Sequence, residues 1–161
     1  MGQKSTKNIR VMKPENIKKM PQLTSYIILT FDKRILLQKR PDNWRTYPGY
    51  VCCFGGHVEK GEHPLQAICR ELQEELGASV DEKDVIPLSC YSESITHFKE
   101  VVHGFFWHDK YNSITGCYEG ETYYLNHISE LNNVPLIMDD VPWLIESSAK
   151  KGLLPNNVTQ F

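Results

Sequence analysis

Seven residues placed in fixed register between positions 56 and 77 constrain this chain more than anything else in it: Gly56, Glu62, Arg70, Glu71, Glu74, Glu75 and Gly77. With Leu72 and Ala78 at the apolar positions, the run reads G-x5-E-x7-R-E-L-x-E-E-x-G-A. At background frequencies near 6% per residue, a chance match in a chain of this length is on the order of one in a million. The local consequence is a helix over Pro64 to Leu76, with proline at its start, long unbranched side chains inside, and Gly77 where a left-handed stop is needed. At about 100° per residue, Leu65, Ile68, Leu72 and Leu76 form one stripe, and Glu71, Glu74 and Glu75 form a neighbouring one. One side packs and the other presents three carboxylates.

Like charges at this spacing destabilise a helix by a few tenths of a kcal/mol per pair, so something must compensate them. Hard divalent cations take oxygen ligands, and Mg2+ binds through a few carboxylates together with substrate phosphates and water. A solvated acidic face is the plain alternative. The flanking Gly55-Gly56 and the adjacent Arg70 favour a metal site. Oxygen ligands select Mg2+, with Mn2+ the substitute, over Zn2+. Arg70, on the next face round, is read as holding Glu62 or a helix carboxylate in place rather than contacting substrate.

The 161 residues, 40% of them hydrophobic, suffice for one domain with a real core. A net charge of −2 lacks the broad basic surface of a duplex nucleic-acid binder and points to small phosphorylated substrates. Five cysteines, at 52, 53, 69, 90 and 117, include no C-x-x-C pair, which argues against a disulfide framework or a zinc site and for a reducing compartment. With no apolar run long enough for a membrane span or a signal peptide, the expected location is cytoplasmic, away from membranes.

Residues 1–21, rich in Lys and Arg, read as an exposed arm, and 156–161 as a tail, leaving 22–155 as the domain. Strands are expected over 23–30, 35–39, 51–54, 85–95, 101–108 and 118–125 from their β-branched and aromatic content. A brief helix is expected over 127–131 and a longer one over 139–150, capped by Asp139 or Asp140. Strands interrupted by one helix and followed by another suggest an α+β, mixed-sheet fold whose strand order pattern does not reveal. No Walker-A loop, G-x-G-x-x-G fingerprint or G-x-S-x-G elbow occurs. His57 and His63 lie within the motif without forming a His-x-x-x-His ligand pair.

The motif is a complete Nudix box, and through it the chain resembles the Nudix hydrolases; a looser similarity to the mutator-type (MutT-like) members extends over about residues 23–150. The resemblance implies an α/β/α sandwich with a mixed sheet between helices, and metal-dependent cleavage of a diphosphate linkage in a nucleoside diphosphate derivative. It implies as metal ligands the carbonyl of Gly55 and the side chains of Glu71, Glu74 and Glu75, with a loop glutamate from downstream. Glu119 is favoured for that place, with Glu121 the alternative. The general base differs among members, so Glu71 and Glu119 both stand as candidates. Arg40 falls where mutator-type members place a phosphate-contacting arginine, though a strand-end surface cation explains it equally. Asp139 and Asp140 fall where some purine-specific members hold the base, and Trp44 and Tyr47 could stack on it.

Three function classes follow. First is a Mg2+-dependent pyrophosphohydrolase that converts a nucleoside triphosphate, an oxidised purine nucleotide among the candidates, to monophosphate and pyrophosphate. Second is a hydrolase of another diphosphate: a nucleotide sugar, a dinucleoside polyphosphate or a capped RNA end. Third is a non-catalytic ligand-binding regulator, for which a degraded box would be the sign. A homodimer through an exposed strand edge or the N-terminal arm stays open.

Overall fold

The second half of strand β2, Gln22–Leu29, is apolar on both faces because the sheet it organises is covered on both sides. In this computed structural model, which describes residues 8–13 and 19–160, Tyr26 and Ile28 pack under helix α1, Pro64–Leu76, while Ile27 and Leu29 face helix α2, Asp140–Lys150. The alternation follows from the two-residue period of a strand. Around β2 lie β1 (Ile9–Val11), β3 (Ile35–Lys39), β4 (Val51–Cys52), β5 (Phe54–His57), β6 (Val85–Glu93), β7 (Val101–His108) and β8 (Glu121–Leu125). They form one eight-stranded mixed sheet in the order β1-β6-β7-β2-β3-β4, with β5 added to β2 and β8 to β3. The expected α/β architecture, a mixed sheet between helices in a single domain, is the one observed.

One edge of β2 carries β7 in parallel along its whole length, from Gln22↔Val101 to Leu29↔His108. The other edge is divided. β5 pairs with Leu23 to Tyr26, and β3 with Ile28 and Leu29. This division lets Gly55 and Gly56 lie against β2 while β3 diverges. Gly55 has no room for a side chain, since a Cβ there would sit 2.1 Å from the Thr24 carbonyl oxygen.

Helix α1 has the predicted bounds. Pro64 starts it, and Gly77 ends it at φ 62° with its N–H on the Gln73 carbonyl and the Ala78 N–H on that of Leu72. Its N-cap is His63, a residue the sequence reading did not assign: the ring Nδ1 accepts from the Leu65 N–H, and Gln66 Oε1 accepts from the His63 N–H. Ile68, Leu72 and Leu76 are fully buried beneath it, as the stripe required.

Several expectations change. Within the stretch read as an exposed arm, Ile9–Val11 pairs antiparallel with β6, and Ile9 is buried in the core on the α2 side; residues 1–7 and 14–18 of that arm lie outside the described residues. The stretch read as a tail contains a helical turn, α3 (Asn156–Thr159), whose Val158 is fully buried in the same core. The domain therefore extends beyond 22–155 at both ends. β8 begins at Glu121, not 118, because Gly120 at φ 73° turns the chain into the strand. β6 stops at Glu93, followed by a 3-10 turn. Asp139 stands at the N-cap of α2 without a side-chain cap bond, and Asp140 directs its carboxylate into the sheet. Among the described residues no helix is long and apolar enough to cross a membrane.

Burial of Val158 gives a direct test of the revised C-terminal boundary. Val158→Ala should lower unfolding free energy by about 1–3 kcal/mol in chemical denaturation, whereas a residue in an exposed tail would change it by less than about 0.5 kcal/mol.

Candidate active site

The site is built where β5, the loop after it and helix α1 meet. Arg70 is its hub. Its guanidinium forks onto Glu62, with Nε 2.8 Å from Oε2 and Nη2 3.0 Å from Oε1, and Nη2 also donates to the His57 carbonyl at 2.9 Å. Nη1 reaches Glu71 Oε1 at 2.9 Å and Glu74 Oε2 at 3.3 Å. One cation thus joins the end of β5, the loop and the helix. The Arg70 hydrogen bonds hold Glu62 down to about 2, helped by the Glu59 N–H.

Beyond this clamp, two helix carboxylates turn inward. Glu71 is 8% exposed and Glu75 1%. The Gly56 backbone lies so close beneath Glu71 that a Cβ there would be 2.3 Å from Oε1. Glu75 accepts a hydrogen bond from the buried Tyr26 hydroxyl. Burial pushes Glu75 up to about 8; the Tyr26 bond and a backbone hydrogen bond from Gly55 oppose the rise, and the charges of Glu71 and Glu119 add to it. Glu71 is raised by burial against the pull of Arg70, with Glu74 and Glu119 again repelling it.

The remaining sequence candidates sort by position. Glu74 is on the solvent side of Arg70, its side chain 56% exposed, apart from the buried pair. Glu119 is exposed in the loop before β8, near enough for its charge to be felt at Glu71 and Glu75; its carbonyl is held by Gln38 Nε2 at 2.9 Å. Glu121 is one step further on, exposed and paired with Lys39 across the β3–β8 ladder. Arg40, closing β3, donates from Nε to the Thr46 carbonyl at 2.6 Å and stacks on the Trp44 ring at 4.7 Å. Tyr47 meets Tyr50 edge-on at 5.9 Å. Both contacts shape the 41–50 loop.

Asp139 and Asp140 separate. Asp139 lines a cavity of about 150 Å3 with Asn8, Tyr50, Glu93, Ile95 and Met138, and its Oδ2 accepts from Asn8 Nδ2 at 2.9 Å. Asp140 is buried against the Tyr91 hydroxyl at 2.8 Å and Ser25 Oγ at 3.4 Å. Burial raises Asp140, and it raises Glu93 to about 8 with help from Asp140, Asp139 and Glu100. Sequence reasoning missed Tyr26, Gln38 and Glu93. For Gln38 the available signal was a polar group within an otherwise apolar strand; Tyr26 and the half-buried Glu93 at the end of β6 carried none.

Among the described residues, no three His, Cys, Asp or Glu side chains form a ready-made metal cage. The donor chemistry still fits Mg2+, which binds through one or two carboxylates and completes its shell with phosphate and water. Two buried carboxylates beside a third negative charge carry a cost that a cation between them would remove.

Comparison with known proteins bears on the same region. The profile of the NUDIX domain matches residues 20–133. The m7GpppN-mRNA hydrolase NUDT17 of Xenopus laevis is 39% identical over 56 residues, 35% of this chain and 19% of that protein. The nucleoside triphosphatase NudI of Salmonella arizonae is 42% identical over 52 residues, 32% of this chain and 37% of that protein. The chain thus spans well under half the length of these curated relatives. A solved structure of MutT, from work on Aliivibrio salmonicida and Vibrio cholerae, superposes with a TM-score of 0.62 at 24% identity, over 82% of this chain and 99% of that one.

Two substitutions test the geometry. Arg70→Lys cannot fork onto Glu62 and reach Glu71 and His57 together, so it should cost about 1–3 kcal/mol in thermal or chemical unfolding through acceptors left unpaired. Gly56→Ala should push the buried Glu71 carboxylate from its place beside Arg70, so it should lower the unfolding free energy by about 1–3 kcal/mol in calorimetry.

Proposed function

The chain belongs to the Nudix family, and on that premise we propose that it is a hydrolase cleaving a nucleoside triphosphate to the monophosphate and pyrophosphate, with Mg2+, or Mn2+ in its place. The observation that carries this reading is the pair of buried carboxylates, Glu71 and Glu75, set against the Gly55–Gly56 backbone and clamped by Arg70. The residues that would hold the metal are Glu71, Glu75 and the Gly55 carbonyl, with Glu74 nearer solvent; Glu119 would join them only where Glu71 is the base. When bound, the ion supplies charge neutralisation of the diphosphate and a more acidic water.

The chain's own residues do the rest. Arg70 keeps Glu71 oriented, and Tyr26 fixes Glu75 from below. Glu119 is favoured over Glu71 as the base that takes the water's proton. Arg70 holds the Glu71 carboxylate, whereas the Glu119 carboxylate is exposed on its loop and free to accept. Arg40 would meet the phosphates from the rim of the 41–50 loop. Asp139, with Asp140 behind it, lines the cavity suited to the N–H groups of a purine base.

Triphosphates are favoured by the likeness to NudI, a nucleoside triphosphatase, though that match covers 32% of the chain. The likeness to NUDT17, an m7GpppN-mRNA hydrolase, keeps capped RNA ends as the second reading. Five free cysteines support a reducing, cytoplasmic setting. A regulator without activity is disfavoured by the intact carboxylate pair.

The deciding experiment is hydrolysis with Mg2+ of a panel of nucleoside triphosphates, oxidised purine triphosphates, nucleotide sugars, dinucleoside polyphosphates and capped RNA, with products resolved by chromatography. Pyrophosphate plus a monophosphate from one triphosphate is expected. Cleavage confined to a sugar-linked or cap diphosphate would move the assignment, and no cleavage of anything would sink it. Glu75→Gln should lower turnover by orders of magnitude with the fold intact, and Glu119→Gln by about 10²–10⁴-fold; near-normal turnover in the latter would return the base role to Glu71.

A further inference from the structure

On the α1 face of the sheet, three strands away from Gly56, a second constellation of nucleophile, base and orienting group is assembled. Cys90 in β6 lies opposite His103 in β7, and its Sγ is 3.6 Å from the ring Nδ1. The other ring nitrogen, Nε2, is 2.9 Å from Gln22 Oε1 in β2. An amide oxygen only accepts, so Nε2 carries the proton and the Nδ1 lone pair is turned to the thiol. The thiol donates, the imidazole accepts, and glutamine fixes the tautomer. Nucleophile, base and orienter in hydrogen-bonded series is the pattern that activates a thiol.

The pairing is reachable from outside. The β6–β7 register shifts between Pro87 and Cys90, and the residues freed by that bulge open a cavity of about 150 Å3 lined by Cys90, His103, Leu88, Ser89 and Phe105. The row Cys90, His103, Thr24, Gly56 crosses three strand spacings, about 14 Å, so this cavity is separate from the carboxylate site. Among the described residues, Cys90 alone has its thiol hydrogen-bonded to an imidazole; Cys117, also half-buried, donates to the Glu119 and Gly120 carbonyls. Burial raises the Cys90 thiol and, with the charge of His63, lowers His103, both against a standing thiolate, so the rate gain rests on His103 taking the proton during the exchange itself.

We propose that Cys90 is a site of reversible S-thiolation by low-molecular-weight disulfides, with His103 as its base and Gln22 as the residue that orients the ring. In the exchange, Sγ attacks one sulfur of the incoming disulfide while its proton passes to His103 Nδ1. The incoming S–S bond breaks, and the departing thiolate takes the proton from His103. A mixed disulfide on Cys90 and one free small thiol result, with no other oxidant consumed.

The test treats the full-length native protein with oxidised glutathione and follows each cysteine by peptide mass spectrometry, with the denatured chain as reference. Cys90 should be modified about tenfold faster than Cys69 or Cys117, and faster than in the denatured chain. Faster reaction at Cys69 or Cys117, or no native enhancement at Cys90, overturns the proposal without any variant. His103→Asn and Gln22→Leu should each slow Cys90 about tenfold and leave the Cys69 rate unchanged. A Cys90 rate equal to the parent's in folded His103→Asn overturns the role of the base. Circular dichroism confirms the fold of each variant.

Discussion

Arg70 is the contact on which the candidate site depends. Without it, Glu59, Glu62, Glu71 and Glu74 would repel one another across a loop and a helix. With it, the loop is tied to the helix and to the His57 carbonyl at the end of β5. The clamp is planar and forked, so it sets direction as well as charge. Glu71 and Glu75 are consequently presented inward over a glycine backbone, where no side chain could fit between strand and carboxylate.

That arrangement needs a rigid floor, and β2 supplies it. Its parallel pairing with β7 is continuous, while its divided other edge places β5 and its glycines beside the helix and sends β3 away. Tyr26 grows from the same strand to reach Glu75, so scaffold and site share a residue. The parts that would choose a substrate sit on loops around this floor. The 41–50 loop is held by Arg40 on Trp44, and the Glu119 loop by Gln38, itself buried in β3. A chemistry carried by rigid elements and a specificity carried by loops fit a family that shares a reaction while differing in substrate.

The legible parts of the sequence were those with local causes. Helix α1 could be bounded to the residue because Pro64 and Gly77 act on their own backbone, and β3 and β7 because their apolar runs are flanked by turns. The strand Ile9–Val11 and the turn around Val158 were misread because each is too short to be stable alone; each exists through what it docks against. Asp139 and Asp140 look like a helix cap by position, and both do stand at the start of α2, yet neither side chain caps it: the Asp140 carboxylate turns to Tyr91 and Ser25 instead. Glu74 and Glu75 are neighbours in the motif but differ in environment, one beside solvent and one buried against the Tyr26 hydroxyl.

By itself the sequence determined the family and the α1 helix with its acidic stripe, because motif spacing and helical period are properties of residues close along the chain. Only the tertiary structure decided which carboxylates are buried, that Arg70 binds loop and helix at once, that Gln38 holds the Glu119 loop, and that Cys90, His103 and Gln22 meet from three strands. Those relations depend on strand order and register, which join residues as far apart as 22 and 103 and leave no trace in local pattern.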